Sequence, residues 1–245
     1  MQNKSKLSKR AVVLLSGGLD SAVALYLAKS KGYQCFALIF DYGQRHKKEI
    51  NAAKKIAFRA GCFFKVLKII LPWGGSSLLD KQLALPKQLT QGIPSTYVPA
   101  RNIIFLSFAA SFAETIKAKA IFIGAHVQDY SGYPDCRPDF FRVFSEVIQK
   151  GTKSGAAKQA IKIETPVIYK AKAEIIRLGI KLGVPLSLTW SCYKGGRKPC
   201  GVCDSCRYRA RGFVKAGLGD PAFPKKTMIN TTGKNGEKYW KGRAG

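Results

Sequence analysis

Apolar residues along this chain come as a short unbroken run, then at helical spacing, then as a run again, and the alternation repeats through the first 190 residues. Residues 11–15 (AVVLL) form the continuous apolar block typical of a strand buried on both faces. A glycine-rich turn follows. Over 20–31, Ala22, Leu25 and Ala28 recur three apart, which predicts a helix. Residues 34–40 predict a second strand, 47–60 a helix ending before Gly61, and 63–69 a third strand. A long apolar helix is expected over 102–117 and a short buried strand over 120–123, closed by Gly124.

Strand, turn and helix in this order predict an α/β fold, a doubly wound and mostly parallel sheet with helices on both faces. Ligands of such sheets bind beyond the carboxyl ends of the strands. Two segments interrupt the rhythm: 71–99, rich in glycine, proline and serine, and 129–139. Long loops of this kind are often lids or binding loops. After Pro185 the composition turns to cysteine, glycine and arginine. The expected organisation is a basic extension over 1–10, a main domain over 11–190, and a small metal-binding subdomain with a basic tail over 191–245.

Composition narrows the function classes. At 245 residues and 46% hydrophobic, the chain can bury a core and is no disordered basic tail. Its longest apolar stretch, 103–113, includes two serines and falls short of the roughly 18 residues a membrane helix needs. The run 11–15 is too short for a secretory segment, and seven cysteines, an odd number, fit poorly with secreted disulfides, so a reducing cytoplasmic setting is expected. Lys and Arg exceed Asp and Glu by 42 − 14 = 28. Such charge attracts nucleic acid, but it is scattered and no block of five or six like charges occurs. A lysine-rich solvated surface is the favoured explanation, with nucleic acid the weaker alternative.

Candidate chemistry begins between the first strand and first helix, at Leu15, Ser16, Gly17, Gly18, Leu19, Asp20 and Ser21. Glycines there let backbone N–H groups approach an anion, and the helix N-terminus adds partial positive charge. Ser16 and Ser21 can donate hydroxyls to phosphate oxygens, while Asp20 would cap the helix or hold magnesium. The loop is neither G-x-x-x-x-G-K-[ST] nor G-x-G-x-x-G. S-G-G-x-D-S after a strand resembles the pyrophosphate loop of the ATP pyrophosphatase superfamily (adenine nucleotide alpha hydrolase-like fold), which implies ATP and activation of a substrate oxygen by adenylation.

Cys192, Cys200, Cys203 and Cys206 are spaced C-x7-C-x2-C-x2-C, which predicts a closed tetrahedral structural zinc site, an iron–sulfur cluster being the alternative. Cys35 and Cys62 are expected in the core; Cys136 sits in an unusual loop.

Further matching stretches lie at 40–46 (FDYGQRH), 98–102 (VPARN), 129–137 (DYSGYPDCR), 164–166 (ETP) and 172–175 (KAEI). With the loop and the cysteines they occur in one order over roughly 11–221, and the chain resembles the 7-cyano-7-deazaguanine synthase family of queuosine biosynthesis. Ala100 stands where that family leads one to expect glycine. The resemblance implies an ATP-dependent ligase converting 7-carboxy-7-deazaguanine and ammonia to the nitrile, with Mg2+, one structural Zn2+ and a homodimer. It implies catalytic roles for Asp20, Lys172, Arg101 and His46, His126 being expected to be structural. It implies deazaguanine recognition by Gln44, Arg45, Asp129, Tyr130, Ser131, Gly132, Tyr133, Asp135 and Arg137, with Arg137 on the carboxylate. Two rivals remain. One is a related ATPase acting on tRNA, disfavoured because no C-x-x-C pair flanks the loop. The other is a non-enzymatic zinc-ribbon nucleic-acid-binding module, which would need no phosphate loop.

Overall fold

The computed structural model describes residues 9–86, 92–126 and 132–223, and the backbone of 231–232 and 238–239. The predicted elements appear as β1 (Arg10–Leu14), α1 (Leu19–Ser30), β2 (Gln34–Asp41), α2 (Lys48–Arg59), β3 (Phe63–Lys68), α3 (Arg101–Thr115) and β4 (Ala120–Ile123). The chain continues through α4 (Pro138–Gly151), α5 (Lys153–Ala156), β5 (Lys162–Glu164), α6 (Lys172–Lys181) and α7 (Asp204–Ala216), and then β6 (Thr231–Thr232) and β7 (Lys238–Tyr239). The apolar-run reading did not resolve the elements after β4. Yet α4 buries Phe141, Phe144 and Ile148, which recur at helical spacing.

Five strands form one parallel sheet in the order β3-β2-β1-β4-β5. Successive side chains of β1 leave on opposite faces, so its unbroken apolar run feeds two cores. Val13 packs with α1, α2 and α6 through Leu25, Ile56 and Ile176. Val12 and Leu14 pack with α3 and α4 through Leu106 and Phe144. Phe213 of α7 joins the first of these cores. The chain leaves β1 and β4 next to each other, and the crevice beyond their carboxyl ends is where ligands of such sheets bind. Among the described residues no helix is long and apolar enough to cross a membrane.

β3 departs from the expectation of cover on both faces. Phe63 is 68% exposed and its neighbour Phe64, on the opposite face, 41%. As an edge strand it has one partner, β2, and both of its faces reach solvent.

Ala100, at the N-terminus of α3, has φ 55 and ψ 22, left-handed backbone in which a Cβ is disfavoured. Relief of that strain, roughly 1–2 kcal/mol, exceeds the roughly 0.5–1 kcal/mol entropy penalty of glycine. Ala100→Gly should therefore raise stability by up to about 1 kcal/mol, read as a higher denaturant midpoint at unchanged m-value. A lower midpoint would show that the strain is not real.

Candidate active site

The loop between β1 and α1 is held by its own hydroxyls. Ser21 Oγ accepts from Ser16 N at 3.2 Å, donates to Gly18 O at 3.1 Å and lies 3.0 Å from Ser16 Oγ, while Gly18 N donates to Ser16 Oγ at 3.3 Å. Ser21 thus shapes the turn and has little left to offer an anion, which corrects the expectation that its hydroxyl is free for phosphate; Ser16 is exposed at the rim. Gly17 has φ +85, and a Cβ on it would stand 2.1 Å from the Glu49 carbonyl of α2, so the turn tolerates no side chain. Leu15 and Leu19 are buried beneath the loop.

Asp20 opens α1 and meets two groups from distant elements. Lys172 Nζ, on the first turn of α6, donates to both carboxylate oxygens at 2.9 Å. His126 Nε2, just beyond β4, lies 2.9 Å from that ammonium and 3.2 Å from Asp20 Oδ2. Burial pushes the Asp20 carboxyl up, but Lys172 and His126 together override it and hold its pKa well below the usual carboxylate range. Two glycines make the cluster fit. A Cβ on Gly124 would stand 2.5 Å from Ser21 N, and one on Gly212 of α7 would stand 2.3 Å from Lys172 Cγ. Lys172 is thus no solvated surface lysine, and the helix behind it is cut away to pass its stem. His126, expected to be structural, belongs to this cluster.

The turn after β2 carries the next group. Gln44 braces the turn, its Oε1 accepting from Tyr42 N at 2.8 Å and its Nε2 donating one N–H to Phe40 O at 3.1 Å and the other to Glu49. Arg45 donates to Asp80 O at 2.8 Å and to Leu83 O, pinning the loop after β3. His46 Nε2 donates to Cys192 O at 2.8 Å. Burial lowers the His46 pKa despite that bond, so the ring is neutral and leaves Nδ1 as a buried acceptor without a partner among the described residues. Arg101, at the start of α3, closes this side with Tyr42, to which it hydrogen-bonds.

The 129–137 stretch divides. Asp129, Tyr130 and Ser131 lie outside the described residues. Tyr133 reaches the cavity, with its hydroxyl 2.6 Å from Thr96 Oγ1. Asp135 does not: its Oδ2 accepts from Asn102 N at 2.9 Å, which caps α3 and corrects the expectation that it recognises the deazaguanine. Arg137 is exposed ahead of α4, because the 3-10 turn over Pro134–Cys136 carries it away from the cavity, so it is not positioned for the carboxylate. Gly132 packs on Gly92, where a Cβ would stand 2.3 Å from the carbonyl. Cys136 does line the cavity, and burial, reinforced by Asp135, pushes its thiol up to about 11, so it stays protonated.

The four cysteines converge as their spacing predicts. Their sulfurs lie within 4.8 Å of one another, Cys200 Sγ and Cys206 Sγ at 4.0 Å, against about 3.8 Å between sulfurs of a tetrahedral zinc site with 2.3 Å bonds. Cys200 N donates to Cys192 Sγ and Cys203 N to Cys200 Sγ, an arrangement suited to thiolates. The cluster could hold a metal ion, and it adjoins the loop. The Cys192 carbonyl accepts from both His46 and Trp190 Nε1, and Trp190 N donates to Gly17 O at 2.9 Å.

Loop, cluster and turn enclose one cavity of about 290 Å3 beyond the carboxyl ends of β1, β2 and β4. Glu49 lines it too, a residue that sequence reasoning passed over although it lies only three places past His46.

The family model and the curated relatives agree with one another. Residues 10–217 match the family model described as queuosine biosynthesis protein QueC. The 7-cyano-7-deazaguanine synthase of Trichodesmium erythraeum is 52% identical over 219 residues, 86% of this chain and 99% of that one. The synthase of Clostridium kluyveri is 52% identical over 218 residues, 87% and 96% of the two chains. Among solved structures, NMN synthetase from Francisella tularensis aligns with 87% of this chain and 79% of its own at 16% identity and TM-score 0.47, a likeness too loose to argue from.

Proposed function

The chain belongs to the QueC family of queuosine biosynthesis proteins, and from that membership we propose that it converts 7-carboxy-7-deazaguanine and ammonia to 7-cyano-7-deazaguanine at the expense of ATP. The observation that carries the reading is the Lys172–Asp20–His126 cluster at the mouth of the glycine loop. A largely buried cation held beside a glycine turn and a helix N-terminus is the device that phosphate activation needs.

A carboxylate resists ammonia because oxide is a poor leaving group. Attack of a carboxylate oxygen on the α-phosphorus of ATP would expel pyrophosphate and make that oxygen part of an AMP leaving group. Ammonia would displace AMP to give the amide, and a second adenylation, on the amide oxygen with loss of another pyrophosphate, would let that oxygen leave with AMP as the nitrile forms. The loop type favours AMP, not ADP, as product. The backbone of residues 16–21 would hold the phosphates, with Lys172 and Arg101 neutralising charge. Tyr42 and Tyr133 offer aromatic surface to the deazaguanine. Asp20, whose two oxygens already receive Lys172, does not fit the magnesium ion expected there, so no role is assigned to a metal at that carboxylate. The cysteine site suits zinc, which would brace the wall that carries Trp190 and His46.

Mass spectrometry after incubation with 7-carboxy-7-deazaguanine, ammonium, ATP and magnesium should find the amide and then the nitrile, with pyrophosphate released only when the deazapurine is present. Absence of both products and of that dependence would refute the reading.

A further inference from the structure

We infer that Glu49 is the proton acceptor for the amine, the group that takes the N–H protons released when ammonia is captured and when the amide becomes a nitrile. The inference rests on the function proposed above.

Among the described residues two carboxylates line the cavity, Asp20 and Glu49. Asp20 is spent, both of its oxygens receiving hydrogen bonds from Lys172. Glu49 is differently placed. It sits on the first turn of α2, its backbone carbonyl against Gly17 of the phosphate loop, and it forms no ion pair among the described residues. Its one hydrogen-bonding neighbour is Gln44, whose Nε2 spends a first N–H on Phe40 O and has the second for Glu49. The other bases nearby are out of reach: the one nitrogen of His46 unpartnered among the described residues, Nδ1, is buried away from the cavity while Nε2 donates to Cys192 O, and His126 is held in the Asp20–Lys172 cluster. Burial, outweighing the pull of Arg101 and the Gln44 bond, pushes the Glu49 carboxyl up to about 7, where a base works best near neutral pH. The charged and titratable groups facing it are Arg101 from α3, Tyr42 and His46 from the turn after β2, and Lys172 with Asp20 across the cavity. The α7 wall adds Tyr208 and Arg209.

In the first step the ammonia lone pair bonds to the acyl carbon. The bond from that carbon to the AMP oxygen breaks, and AMP leaves with the electron pair. The nitrogen then carries one proton in excess, which Glu49 takes and passes to water. In the second round the amide, adenylated on oxygen, carries two N–H protons and a positive charge. Both protons leave in succession through Glu49, AMP departs with the C–O electron pair, and the triple bond closes.

The test is Glu49→Gln in the full-length, metal-loaded protein, with Glu49→Asp as the second variant. Glu49→Gln should still adenylate, so one turnover of deazapurine-dependent pyrophosphate appears and the adenylated acid accumulates. Amide and nitrile formation should fall by about 10²–10⁴-fold. At constant free ammonia, the wild-type rate should fall as pH drops through about 7, since the acceptor must be deprotonated, and Glu49→Gln should lose that limb. Glu49→Asp should recover part of the rate together with the limb. A raised KM for the deazapurine at unchanged kcat would instead make Glu49 a recognition residue. Loss of the first pyrophosphate burst would make it part of the phosphate or metal site. Either result overturns the inference, as does an unchanged pH limb. If the wild type itself releases no deazapurine-dependent pyrophosphate, it is the proposed function that has failed.

Discussion

Lys172→Met is expected to lower deazapurine-dependent pyrophosphate release by about 10²–10³-fold, the usual loss when a preorganised group that stabilises transition-state charge is removed. Methionine keeps most of the unbranched stem that passes Gly212, so the α6–α7 packing survives and the deficit reports the missing charge. The same change removes the main counter-charge of a carboxylate that burial alone would push up. The sign of the pH effect follows. Because the folded pKa of Asp20 is depressed, its pairing stabilises the wild type fully above the unfolded carboxylate value of about 4 and is lost as pH falls toward the lower folded value. Lys172→Met should therefore be less stable near neutrality and show a flatter stability profile below pH about 4, measured by thermal melting across pH. Unchanged pyrophosphate release would remove Lys172 from the chemistry.

Cys203→Ser should lower metal content and thermal stability together, by at least about 4 kcal/mol, the scale at which loss of a metal site stands out among single substitutions. For a chain of this length that is a fall in Tm of about 8–16 °C. The structure adds a consequence beyond stability. The Cys192 carbonyl anchors His46 and the Trp190 indole, and the Trp190 amide anchors Gly17, so loss of the metal should also weaken nucleotide binding. Metal analysis, melting and nucleotide titration on one preparation would check all three. A stable, metal-free variant with intact nucleotide affinity would mean that the cysteines do not brace the loop.

Much of the fold was legible from local pattern, and the failures have physical causes. β1 and β4 read correctly because strands buried on both faces appear as unbroken apolar runs. Their neighbour β3 also read as a strand, yet its exposure did not, since an edge position is set by which strands pair and not by composition. Asp135 and Arg137 were placed in the site because their motif is distinctive. The motif could not reveal that a 3-10 turn spends one on a helix cap and sends the other to solvent. Glu49 went unremarked because a lone glutamate on a helix is ordinary, and only the packing of α2 against Gly17 makes it a wall of the cavity.

By itself the sequence determined the order of strands and helices as far as β4, the glycine turn between β1 and α1, and the four thiols of the C-terminal cluster, because each is written in residues close together in the chain. Tertiary structure alone decided what those pieces face. Asp20 meets Lys172 across 152 residues and His46 meets Cys192 across 146. Such partners come together only when the sheet closes and the helices dock, since the free energy that seats them comes from burial of the two cores and not from any preference that the local sequence carries.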